Sequence, residues 1–154
     1  MSEAISSSRS LHRLLYSSRQ KFGPGVDVDA EVEAIVLTSA LNNALVGVTG
    51  LLLAHEGWFV QALEGPAQAV MTTYQRILND PRHADSRVLS AGPAEQREFG
   101  DWDMCARRIS ATDDAILTTL AQRQAFDPTT LSAAAALRLL KTVAGIKQRT
   151  TRVA

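Results

Sequence analysis

The run FVQALEG, residues 59–65, sets a glutamine inside an otherwise apolar stretch that reads as a buried strand. Phe59, Gln61 and Leu63 share one face by the two-residue period of a strand. A carboxamide offers two N–H donors and an acceptor oxygen, and leaving a buried partner unmade costs roughly 1–3 kcal/mol. Gln61 therefore either satisfies a neighbouring backbone group or binds something polar brought to it. Tyr16 raises a related question in LHRLLYS, where His12, Leu14 and Tyr16 alternate onto one face. A buried tyrosine is ordinarily core with its hydroxyl tied to a carbonyl. Its phenol can also give up an electron and a proton.

Other side chains are ambiguous taken singly. Asn42 and Asn43 follow an apolar stripe on which Ile35, Ser39 and Asn43 are spaced by four. They either terminate a helix or project an amide from its core face toward a polar heterocycle. Arg76 and Asp80 stand at i and i+4 around Ile77, the spacing of a solvated ion pair worth a few tenths of a kcal/mol. Arg82 and His83, in PRHAD, either touch an anion or face water. Trp102 and Met104 alternate onto one face of a late strand, most simply as core. There is no GxGxxG, no GKS/T loop, no metal-ligand cluster and no Ser/His/Asp set in the sequence.

Positioning these residues requires a definite order of elements. Residues 1–10 are polar and Ser-rich, and the strand at 11–17 follows. Gly23, Pro24 and Gly25 break the chain before a helix whose first turn carries Asp27, Asp29 and Glu31, and which is predicted to run to about Asn42. VTGLLLA (48–54) and WFVQALE (58–64) flank His55-Glu56-Gly57 and predict a hairpin. Pro66 suits the first position of a second helix, with Val70, Met71, Tyr74, Ile77 and Leu78 as its apolar stripe, stopped by Asp80-Pro81. Strands are predicted at about 86–91 and 102–107.

The order βαββαββ predicts an α+β domain of ferredoxin-like type, with five strands and two helices on one face. The remainder is predicted helical. Thr112 caps a first segment, and Asp127-Pro128 reads as the start of a second. AAAALRLL (133–140) is apolar nearly all round, so it either covers the free sheet face or serves an oligomer contact.

At 154 residues the chain has the length of one domain with an appendage and needs no disulfide or metal staple. Its single cysteine, Cys105, fits a reducing compartment. Basic and acidic residues both number 16, so no global field attracts nucleic acid or an anionic membrane. No apolar run approaches the ~20 residues of a membrane span, and the N-terminus lacks the apolar core of a secretory signal. The expectation is a cytoplasmic protein with neither nucleic acid nor membrane as partner.

Taken in order, Tyr16-Ser17-Ser18, Asn42-Asn43, GVTGLL, FVQALEG, YQRILND-RH and REFGDWDM resemble the BLUF family, the sensors of blue light using FAD, over about residues 11–107. The resemblance implies a five-stranded sheet with a flavin lying between two helices on one face. It makes Tyr16 the redox-active tyrosine and Gln61 the amide between that phenol and flavin N5 and O4. Asn43 matches the asparagine at the flavin carbonyl edge, with Asn42 its helper. Ile35 and Ile77 match the aliphatics that sandwich the ring, and Phe59, on Gln61's face, joins the cofactor-contacting set. Arg76, Asp80, Arg82 and His83 align with the rim of the site. Trp102 and Met104 match the pair that exchanges places near the glutamine during signalling.

Two departures are mild. Val46 stands where relatives often carry a polar residue, and Ala106-Arg107 replace an apolar continuation. The domains implied are a flexible segment 1–10, a flavin-binding domain 11–107, a helical extension 108–147 and a basic tail 148–154.

The residue types suit such chemistry. A phenol held beside an excited flavin supplies both electron and proton. An amide can relay the proton and then settle into another hydrogen-bonding state, which a glutamate (charged, acceptor-only) or a leucine cannot. The resemblance thus implies a non-enzymatic photoreceptor that binds FAD, or FMN or riboflavin, without a covalent bond. Its absorption moves slightly to the red in light, and it acts through an unidentified protein partner and as a homo-oligomer built on its C-terminal helices. A light-insensitive flavin-binding module is the alternative. An acylphosphatase-like hydrolase on the same scaffold is a further one, with Arg19 as a weak phosphate ligand.

Overall fold

A computed structural model describes residues 10–27, 30–31, 34, 45–55, 57–99, 106–109, 128 and 131–142. The strands are β1 (Leu11–Gln20), β2 (Thr49–His55), β3 (Trp58–Pro66), β4 (His83–Pro93) and β5 (Ala106–Ile109), and a helix spans Ala67–Leu78. They form one sheet in the order β4-β1-β3-β2-β5. The four strands β4, β1, β3 and β2 are antiparallel to their neighbours, and β5 adds parallel to β2 at the edge. The architecture is α+β.

β2 and β3 form the predicted hairpin, with Gly57 at its turn in the left-handed region (φ 86°) that favours glycine. Gly50 lets the two strands approach, since a Cβ there would run into the carbonyl of Ala62. Several boundaries differ from expectation. β1 runs three residues further than 11–17. β4 spans 83–93 rather than 86–91, because it carries register shifts against β1 and Asp85 at φ 55°, which break the alternation the sequence would show. β5 is described over 106–109 and overlaps the predicted 102–107 at 106–107, while 102–105 lie outside the described residues.

Pro66 ends β3 and stands at the N-cap of the Ala67–Leu78 helix, one position before the expected one. That helix buries Val70, Thr73 and Tyr74, while Met71 and Leu78, expected in its stripe, are exposed. Asp80 falls beyond its C-cap, Asn79. Residues 30, 31 and 34 are helical, consistent with the helix expected after Asp27. Asp27 accepts from Ala30 N there, at 3.2 Å.

The two sheet faces hold two separate cores. Leu14, Tyr16, Val48, Leu52, Phe59, Leu63, Val70 and Tyr74 pack beneath the Ala67–Leu78 helix. Leu15, Leu51, Leu53, Val60, Ala62 and Phe99 pack on the opposite face against Ala136, Leu139 and Leu140. The alanine-rich segment therefore covers the sheet, the first of its two expected roles. Burying each such leucine is worth about 1.5–3 kcal/mol, so this helix is a substantial part of the fold. It is helical over 133–142, and Ser132 is its cap, the hydroxyl accepting from Ala135 N at 3.1 Å. Asp127-Pro128 thus does not start it. Thr112 lies outside the described residues, as do 1–9 and 143–154.

Candidate functional site

Tyr16 and Gln61 are direct cross-strand partners in the β1–β3 ladder, at the centre of the sheet. Each is only 3% exposed. The phenol donates to Gln61 Oε1, so the amide oxygen that would otherwise be an unpaired buried acceptor is satisfied by the tyrosine. That resolves half of what Gln61 binds. The other end of the carboxamide is an NH2 with two N–H donors.

The walls around this pair are aromatic and aliphatic. The Tyr74 ring lies tilted against Tyr16 with ring centroids 5.3 Å apart, and its own hydroxyl is 2.7 Å from Ser86 Oγ. The His83 ring lies 6.4 Å from Tyr16 and 6.5 Å from Phe59, edge-on to the latter. Phe59 and Ile77 both belong to this core. His83 Nε2 donates to the carbonyl of Ile77, where the helix ends. Its other ring nitrogen, Nδ1, is buried and has no partner among the described residues. The hydroxyls of Ser17 and Ser18, on opposite sides of β1, are likewise buried without a partner among the described residues.

At the helix end Asp80 and Arg82 form a close pair. Arg82 Nη2 lies 2.6 Å and Nε 2.9 Å from the carboxylate, and Arg82 N also donates to it at 2.9 Å. The hydrogen bonds from Arg82 hold the Asp80 carboxyl below the usual aspartate range, against the opposing effect of burial. The same pairing raises the guanidinium of Arg82. Glu31, from the helical stretch before, reaches within 3.9 Å of Arg82. The expected Arg76–Asp80 pair does not form, because the helix stops before Asp80 and the turn brings Arg82 to it instead. Arg76 is exposed in the last turn of the helix.

Of the expected site residues, the structure thus brings Tyr16, Phe59, Gln61, Ile77 and His83 together, with Asp80 and Arg82 paired at the end of the same helix. Ile35, Asn42, Asn43, Trp102 and Met104 lie outside the described residues. Tyr74 was read only as part of an apolar stripe. Its contact with Tyr16 depends on a helix crossing the sheet, which no local pattern reveals.

Among the described residues there is no cluster of metal-ligating side chains, and no helix is long and apolar enough to cross a membrane. What the site offers is a row of neutral hydrogen-bonding groups in a dry aromatic wall. The carboxamide of Gln61 and the His83 ring, whose Nδ1 has no partner among the described residues, suit a planar heterocycle carrying carbonyl and ring-nitrogen acceptors and N–H donors, which is the chemistry of an isoalloxazine.

Comparison with known proteins bears on this geometry. The family model described as sensors of blue light using FAD matches residues 11–105. The chain is 38% identical over 89 residues to the photoactivated adenylate cyclase subunit beta of Euglena gracilis, 57% of this chain and 10% of that protein. It spans about a tenth of the length of the curated relatives it matches. Among solved structures, the dark state of the BLUF protein BlrB superposes with a TM-score of 0.74 at 28% identity, covering 91% of this chain and 98% of that one. The photo-activated state of BlsA gives a TM-score of 0.76 at 22% identity, over 86% of this chain and 94% of that one, which shows the common fold.

Proposed function

The chain belongs to the family of sensors of blue light using FAD, a flavin-binding family, and on that premise we propose that it is a blue-light photoreceptor that holds its flavin non-covalently and signals by protein contacts rather than by catalysis. One observation carries the proposal: the buried phenol of Tyr16 donates to the amide oxygen of Gln61 across neighbouring strands of the sheet.

When bound, the flavin supplies an electron acceptor of high potential on absorbing blue light. Tyr16 is the nearby donor, and its hydroxyl proton already points at Gln61 Oε1. A proton leaving Tyr16 therefore meets the carboxamide first. The carboxamide answers by rotating or tautomerising, which exchanges its donor and acceptor ends. On return of the electron and proton, Gln61 is left in a different hydrogen-bonding state in a core where no water competes. The Tyr74 ring and the core beneath the Ala67–Leu78 helix exclude that water.

Ile35, Asn42, Asn43, Phe59 and Ile77 contact the ring in this reading, and Arg76, Asp80, Arg82 and His83 stand at the rim. FAD is the favoured occupant, and FMN or riboflavin would fill the same ring site. Trp102 and Met104 sense the amide, and β5 carries the change toward the C-terminal segment. The strand order β4-β1-β3-β2 supports the ferredoxin-like arrangement. A cytoplasmic setting, a separate protein partner and assembly of copies through the C-terminal segment belong to the same proposal.

The test is direct. The purified chain should be yellow, and blue light should move its flavin absorption reversibly to the red, with no persistent bleaching. A colourless protein that takes up no added FAD, FMN or riboflavin overturns the proposal.

A further inference from the structure

The ladder between β1 and β3 carries a second polar pair. Tyr16 faces Gln61 in it, and Arg13 faces Glu64. The two pairs are three residues apart on each strand, an odd offset, so they project from opposite faces of the sheet. Glu64 is fully buried and its carboxylate is fully engaged. Oε2 accepts from Arg13 Nε at 2.7 Å and from the backbone N–H of Glu98 at 2.9 Å, and Oε1 accepts from Phe99 N at 2.8 Å.

Arg13 also donates to Gln96 O at 2.9 Å. Arg97 clamps the same stretch to the β2–β3 end of the sheet, through Thr49 Oγ1 at 2.6 Å, Glu64 O at 3.0 Å and Gly47 O at 2.8 Å. Residues 96–99 are thus held to the sheet by the Arg13–Glu64 rung. They hold the far helix in turn. Phe99 is wholly buried against Ala136, Leu139 and Leu140, and Glu98 lies 3.3 Å from Lys141 Nζ.

We propose that Arg13 and Glu64 are positioning residues that couple the Tyr16–Gln61 pair to the helix at 133–142 through residues 96–99. The inference rests on the photoreceptor reading of that pair and names a second route for its signal, beside the one through β5. Two rungs of one ladder share the spacing and twist of β1 against β3. When Gln61 changes its bond to Tyr16, the strands adjust, and a charged rung three residues away must follow. Its partners are backbone N–H groups at fixed geometry, so the adjustment is passed on to residues 96–99 rather than absorbed in water. Phe99 and Glu98 then shift the packing and ion pairing of the far helix.

The experiment uses the full flavin-loaded chain, read by its light-induced spectral shift and by amide exchange in light and dark. In the wild type, blue light should produce the red shift and change exchange at 96–99 and 133–142 by about fivefold or more. Glu64→Gln removes the charge at constant shape, and Arg13→Lys keeps a cation but loses the bond to Gln96 O. Both should retain the full red shift while the light–dark difference in the two segments collapses. A purely structural role would lower protection equally in light and dark and preserve their ratio.

Variants that keep the wild-type ratio overturn the coupling. So does a wild-type chain whose spectrum shifts with no change in exchange at 96–99 and 133–142, an outcome that leaves the photoreceptor reading standing. No spectral shift at all overturns both. Should Glu64→Gln fail to fold, Arg13→Lys decides alone.

Discussion

On one face of β1 and β3 a neutral phenol meets a neutral carboxamide; on the other, three residues along, an arginine meets a buried glutamate. The first pair is joined by one hydrogen bond between uncharged groups, the phenol donating to the carboxamide oxygen. The second is saturated, every carboxylate oxygen engaged and the guanidinium spread over two segments. A saturated buried network holds architecture, because any change leaves a charge unpaired. A neutral pair whose amide can exchange its donor and acceptor ends can exist in two arrangements of similar energy, which is what a switch needs.

That contrast can be broken by substitution. Glu64→Ala should have the largest effect, costing about 3–5 kcal/mol in urea unfolding, since it strands Arg13 and two backbone donors in a buried setting. A loss below about 1 kcal/mol would mean that the far rung is not the structural one. Tyr16→Phe should cost only about 1 kcal/mol of stability, and should abolish the light-induced shift completely. A stability loss matching that of Glu64→Ala would erase the distinction between the two faces.

Tyr74→Phe sharpens the comparison within the near face. Tyr74 lies tilted against Tyr16 but bonds to Ser86, not to Gln61. Its removal should cost about 1 kcal/mol and leave the red shift in place. Loss of the shift would make Tyr74 a second member of the photoactive pair.

The smallest effect belongs to Asp80 and Arg82, a partly exposed pair worth about 0.2–1 kcal/mol. The native Asp80 carboxyl titrates below its unfolded value, so its contribution is fully present above about pH 3.9 and is lost as pH falls through the native pKa. Melting curves of wild type and Asp80→Asn should therefore differ slightly near neutrality and converge in acid. A gap that widens in acid would reverse the sign assigned to the pair.

The near face was legible in the sequence because its signals are local. Alternation placed Tyr16 with Leu14, and Gln61 with Phe59 and Leu63, and a glutamine flanked by apolar residues advertises an unmet bonding need. Gly57 and Pro66 punctuated the hairpin and the helix that follows it. Glu64 gave no such signal. An acid at the end of an apolar run reads as the start of a solvated surface, and its partners are 51, 34 and 35 residues away.

The same limit explains the Arg76–Asp80 error. Spacing by four presumes a helix that continues, whereas this one ends at Leu78 and the turn substitutes Arg82. β4 was read too short because a bulge with Asp85 in the left-handed region interrupts the period on which strand reading depends. Ser132 was passed over as a cap in favour of Asp127-Pro128, two signals of equal local quality that only the packing of Ala136, Leu139 and Leu140 separates.

The central claim is that the carboxamide of Gln61 is the group that light rearranges. The difference spectrum of a Gln61→Leu variant, recorded before and after blue light beside the wild type, tests it most directly. The account predicts a yellow, flavin-loaded variant with no red shift where the wild type shows a reversible one. A wild-type-sized shift without the amide would contradict it.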